Sequence, residues 1–61
     1  MRNYQVHWRY VTKVSGSYEG NEVIYACNED EALEKTIAIC RGKGFSNWSG
    51  KLTIINTEIV P

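Results

Sequence analysis

Tyr4-Gln5-Val6-His7-Trp8-Arg9-Tyr10-Val11-Thr12-Lys13-Val14 alternates with a period of two. Tyr4, Val6, Trp8, Tyr10 and Val14 fall on one face, with Thr12 among them. Gln5, His7, Arg9, Val11 and Lys13 fall on the other. Aromatic and β-branched residues at this spacing predict a half-buried strand over 4–14. Ser15-Gly16-Ser17 is a turn signal, so residues 17–27 are expected to return as a second strand. A two-residue Ser15-Gly16 loop pairs Trp8 with Val23, Val6 with Tyr25 and Tyr4 with Cys27 on the core face. On the other face it sets Arg9 opposite Glu22 and Gln5 opposite Ala26. A Gly16-Ser17 loop shifts the pairing by two and keeps the faces. Glu19-Gly20-Asn21 reads as a bulge or a wider turn.

Asn28-Glu29-Asp30-Glu31 reads as a helix start. Asn28 is a capping residue, Glu31 stands three positions on, and three acids complement the positive end of the helix dipole. At the helical period, Ile39, Ala32, Thr36, Cys40, Leu33 and Ile37 fill one arc of about 160°. Asp30, Glu31, Glu34, Lys35, Ala38 and Arg41 fill the remainder, with Glu31–Lys35 a favourable i,i+4 pair. Gly42 and Gly44 stop the helix. Residues 43–50 read as a loop, and residues 51–60 as a third strand rich in β-branched side chains.

This order specifies an α+β fold, β-β-α-β. It is a three-stranded antiparallel sheet in the order 2-1-3, with one helix packed on one face. All of residues 1–61 are expected to form a single small domain. A chain of 61 residues buries only about 60% of its unfolded surface, so outside support is plausible. The third strand is a long apolar edge that Lys51 and Glu58 protect little. Pairing with a second copy, or with another protein, would satisfy it, and self-association through strand 51–60 is the expectation.

Seven Lys or Arg balance seven Asp or Glu, giving a formal net charge of zero. That balance argues against a general polyphosphate binder and against an acidic nucleic-acid mimic. No apolar run approaches the ~18 residues that cross a bilayer. The N-terminus lacks the continuous apolar stretch of a signal peptide. A cytoplasmic protein with no membrane association is the expectation. Cys27 and Cys40 flank the helix roughly 18–20 Å apart, beyond disulfide reach. Two reduced, mostly buried thiols are expected, and their spacing is not that of a paired-cysteine metal site.

No motif here is specific to a family, and no catalytic constellation is present. His7 is the only histidine, with Glu22 expected near it on the open face. No enzyme activity, metal or cofactor is implied. The open face carries Gln5, His7, Arg9, Val11 and Lys13, with Tyr18 and Ile24 alongside. Phe45 and Trp48 sit in the loop, either as a lid on the core or as aromatic anchors for a partner. The expected function is that of a non-enzymatic binding protein, an inhibitor or adaptor, working on another protein. Its size suits an accessory protein of phage or mobile elements. The partner-binding residues are Arg9, His7, Lys13, Tyr18, Phe45 and Trp48. The alternative is a module for single-stranded nucleic acid or nucleotides, bound on the basic sheet face.

Overall fold

The alternating stretch forms β1 (Arg2–Thr12) in a computed structural model that describes residues 1–14, 16–45 and 50–61. β2 (Ser17–Ala26), α1 (Glu29–Gly42) and β3 (Gly50–Val60) follow. Both neighbours of β1 run antiparallel to it, in the sheet order β2-β1-β3. The fold is thus the expected α+β arrangement, with the most aromatic strand in the middle. Val14 is not on the core face as expected; it lies beyond the end of β1 and is exposed.

The hairpin register differs from both expected pairings. Thr12 donates its N–H to the Gly16 carbonyl at 2.8 Å, and its hydroxyl donates to the same oxygen at 2.8 Å. With the hairpin closed there, Trp8 faces Gly20, Val6 faces Glu22 and Tyr4 faces Ile24. Each partner stands three positions from the one expected. An odd shift turns every side chain of the second strand to the opposite face. Ile24 and Ala26 are therefore buried, while Val23 and Tyr25 are 62% and 58% exposed. Gly20 is neither bulge nor turn. It is an in-register strand residue.

The aromatic bulk of β1 explains this register. A Cβ built on Gly20 meets the Trp8 indole, with Cε2 only 2.8 Å away. A Cβ on Gly50 meets the Tyr10 ring, with Cζ at 2.8 Å. Two glycines on the flanking strands thus make room for two large side chains of the central one. Tyr4, Val6, Ile24, Ala26 and Ala32 form one core cluster. Trp8, Tyr10 and Cys40 form the other, with Phe45, Leu52 and Ile54 packed against it.

Asn28 caps α1 as expected, accepting the Glu31 N–H at 2.9 Å. Ala32, Thr36 and Cys40 are buried along its inner face, and Ile39 lies at the margin. Thr36 satisfies its hydroxyl by donating to the Ala32 carbonyl at 2.8 Å. Gly42 is still helical, and the stop comes at Gly44, whose φ is +91°. Gly44 N–H bonds Arg41 O at 3.0 Å and Phe45 N–H bonds Cys40 O at 2.9 Å. This is the paired hydrogen bonding of a Schellman cap, which turns the chain sharply and aims Phe45 at the core.

β3 carries one irregularity. His7 pairs with Asn56 but Trp8 pairs with Ile54, so Ile55 is an extra, bulged residue. The helix packs on β1 and β2. It leaves β3 poorly covered: Ile55 and Ile59 are 44% and 52% exposed.

Candidate functional site

Among the described residues, nothing covers the face of the sheet away from α1. Asn3, Gln5, His7, Arg9 and Val11 run down its centre. Tyr25, Val23, Asn21, Glu19 and Ser17 flank them on β2, and Val60, Glu58, Asn56, Thr53 and Lys51 on β3. The corrected register gives this face its character. Tyr25 and Val23 stand two residues apart on the same strand and form an exposed apolar ridge. Neither was among the expected partner-binding residues. The run Val23-Ile24-Tyr25-Ala26 is apolar on both parities, so its pattern alone does not say which pair faces out.

His7 and Arg9 are placed together on this face, as expected. The acid beside them is Glu19 rather than Glu22. Arg9 Nη2 and Nε donate to Glu19 Oε1 at 3.0 and 3.3 Å, and His7 Nε2 lies 3.5 Å from the same oxygen. These are half-exposed groups, so the pairs add little stability. They do hold the arginine head in place over the sheet. Lys13 is exposed in the turn.

Tyr18 lies on the other face from the one expected. It stacks on Phe45 with ring centroids 5.4 Å apart. Phe45 also stacks on Tyr10 at 4.9 Å and tilts against Trp8 at 5.3 Å. Four aromatics thus close one end of the core, with Phe45 half-buried as the lid. Ile24, expected on the open face, is in the core, whereas Cys27 is exposed and free. Trp48 lies outside the described residues.

A second polar group sits at the β2 edge beside the helix. Glu22 projects to the helix side, and its Oε1 meets Lys43 Nζ at 2.7 Å. Lys43 also rides over the Trp8 ring, 5.8 Å from its centroid. The Glu22 hydrogen bond holds the Lys43 pKa above its ordinary value. Burial, and then the Glu22 charge, push the Cys40 thiol up. Trp8 Nε1 is buried without an acceptor among the described residues. Further along the same edge, Lys35 Nζ donates to the Tyr25 carbonyl at 3.0 Å and pairs with Glu31 at 2.9 Å.

A cavity of about 130 Å³ is lined by Ile37, Arg41, Phe45 and Leu52. No cluster of three or more His, Cys, Asp or Glu stands ready to hold a metal among the described residues. Among the described residues, no helix is long and apolar enough to cross a membrane. No family model, curated protein or solved structure matches the chain.

Proposed function

We propose that the protein is a non-enzymatic binding protein, an inhibitor or adaptor, that acts by covering a surface of another protein. The open sheet face is the surface it presents. One observation carries this reading: nothing among the described residues covers this face, and it presents Tyr25 and Val23, both more than half exposed, together with Arg9, which Glu19 holds in place further along the sheet. Tyrosine and arginine dominate the energetics of protein interfaces, and contiguous exposed apolar groups mark binding surfaces. The free thiols suit a reducing cytoplasm, and the small size suits an accessory protein of phage or mobile elements.

The nucleic-acid alternative is less favoured. Trp8 and Tyr10, the strongest stackers, are buried on the helix side, and Glu19 neutralises Arg9. The test is affinity capture of the partner followed by titration with Tyr25→Ala and Arg9→Ala. Both side chains are exposed, so both variants should fold as the parent does. Each is expected to weaken partner binding by at least about tenfold, the size of a hot-spot loss. Glu34→Ala, on the exposed side of α1, should leave it unchanged. Unaltered binding by both variants would place the contact elsewhere. Tight, salt-sensitive binding of single-stranded oligonucleotides would favour the alternative.

A further inference from the structure

The two edges of the sheet are not equivalent. Along β2, lysines from the helix side occupy the edge, with Lys35 on the Tyr25 carbonyl and Lys43 on Glu22. Lysine on an edge is a common guard against pairing with another strand. β3 has no such guard from the helix among the described residues. It is an 11-residue strand with exposed Ile55 and Ile59, and the helix leans away from it.

We propose that β3 pairs with β3 of a second copy, antiparallel, about a two-fold axis between Ile54 and Ile55. The bulge at Ile55 sets this register. In an antiparallel ladder, directly opposed residues share a face of the sheet. A two-fold axis between two residues always opposes an odd-numbered position to an even-numbered one. In a regular strand those lie on opposite faces, and such pairing is forbidden. Ile55 changes the phase midway along β3. Lys51 and Thr53 before it share the open face with Asn56 and Glu58 after it. Leu52, before it, shares the helix face with Thr57 and Ile59. The axis at the bulge therefore satisfies both faces at once. Bulges often turn an edge away from partners, but this one re-phases the strand to match itself.

The charges select the same register. Lys51 falls opposite Glu58 of the second copy, and the symmetry makes this pair twice. Thr53 falls opposite Asn56, and Ile54 meets Ile55 at the axis. The product is a continuous six-stranded sheet with both helices on one side. β2 has no such complement: it carries Glu19 and Glu22 and no basic residue. This pairing uses the strand edge rather than the open face, so it stands or falls separately from the proposed partner surface.

Sedimentation and light scattering on the full chain read the assembly directly. A dimer at micromolar concentration is expected. Lys51→Glu and Glu58→Lys each turn two attractive pairs into two repulsive ones, and each should weaken dimerisation by about tenfold or more. An equimolar mixture of the two variants restores both attractions and should form a heterodimer of parental affinity. A wild-type monomer at millimolar concentration, or a mixture no tighter than either variant alone, would overturn the proposal. Zero-length carbodiimide cross-linking of the wild type tests the register without any substitution. Lys51 and Glu58 lie roughly 23 Å apart within one strand, so a Lys51–Glu58 amide forms only between copies. Its absence from a cross-linked dimer would count against this register.

Discussion

Trp8 lies across Gly20, and its indole fills the space where a side chain at position 20 would begin. That relationship decides which side of β2 faces the helix. With Trp8 over Gly20, Ile24 and Ala26 enter the core, and Val23 and Tyr25 are left outside as the apolar part of the open face. A detail of aromatic packing thus determines the chemistry of the candidate binding surface.

Gly20→Ala should therefore destabilise the protein even though alanine suits a strand better than glycine. The new methyl forces the indole to move within a packed core, at a cost of about 1–3 kcal/mol. Gly42→Ala is the counterpart. Gly42 is helical, and a Cβ there meets nothing within 4 Å. It should stabilise by up to about 1 kcal/mol through helix propensity. Urea denaturation, with the tryptophan emission of the native states compared, reads both. A Gly20→Ala variant as stable as the parent would show that Trp8 does not hold the register.

Gly44 poses the backbone version of the same test. There is open space around it, but its φ of +91° is a conformation that side chains resist. Gly44→Ala should cost about 1–2 kcal/mol. The loss is linked to Phe45, which the cap aims at Tyr10, Tyr18 and Trp8. Near-ultraviolet circular dichroism, sensitive to aromatic packing, should change in this variant. Far-ultraviolet signal from the helix should persist.

Much of this architecture is legible in the residues. The alternation of β1, the Asn28 cap, the helical apolar arc and the β-branched third strand each follow from one unambiguous pattern. The facing of β2 does not. Its last four residues are apolar on both parities, and its phase depends on where the hairpin closes and on a glycine whose role appears only opposite Trp8. The binding face inherits that ambiguity. His7 and Arg9 follow from the β1 alternation, whereas Tyr25 and Val23 follow from the register. Gly44-Phe45 after a helix is a Schellman signal, and it agrees with the lid reading of Phe45. The bulge at Ile55 has no signature within β3 itself.

The helix start gives an acid-side prediction. Lys35 beside Glu31, mainly through a hydrogen bond, holds the Glu31 carboxyl below its ordinary value of 4.5. A depressed carboxylate contributes stability that is present above the unfolded value and is lost as pH falls through the folded one. Glu31→Gln removes that contribution. The stability gap between parent and variant should thus be open near neutral pH and close as pH falls below the ordinary carboxylate value and through the lowered folded one. Glu31 is half-exposed, so salt should narrow the gap at neutral pH. A gap independent of pH would show that the pair does not act through its charge.

The two thiols give the alkaline counterpart. Cys27 is exposed and Cys40 is fully buried against Trp8 and Tyr10. Burial first, and the Glu22 charge second, raise the Cys40 thiol above its ordinary 9.0. A maleimide at neutral pH should therefore label Cys27 in the folded protein, and Cys40 only after denaturant opens the core. Lys43, hydrogen-bonded to Glu22, is likewise raised above 10.5. Both groups favour their protonated forms in the fold. Their contributions are complete below the unfolded values and are lost as pH rises through the folded ones. Stability should consequently fall from about pH 9 upward, and Cys40 labelling should rise with it. In Glu22→Gln the lysine loses its charged partner, so the Lys43 share of that alkaline fall should disappear. The Cys40 share should persist, because burial remains. Labelling of both thiols at equal rates in the native state would contradict the packing of α1 on the sheet.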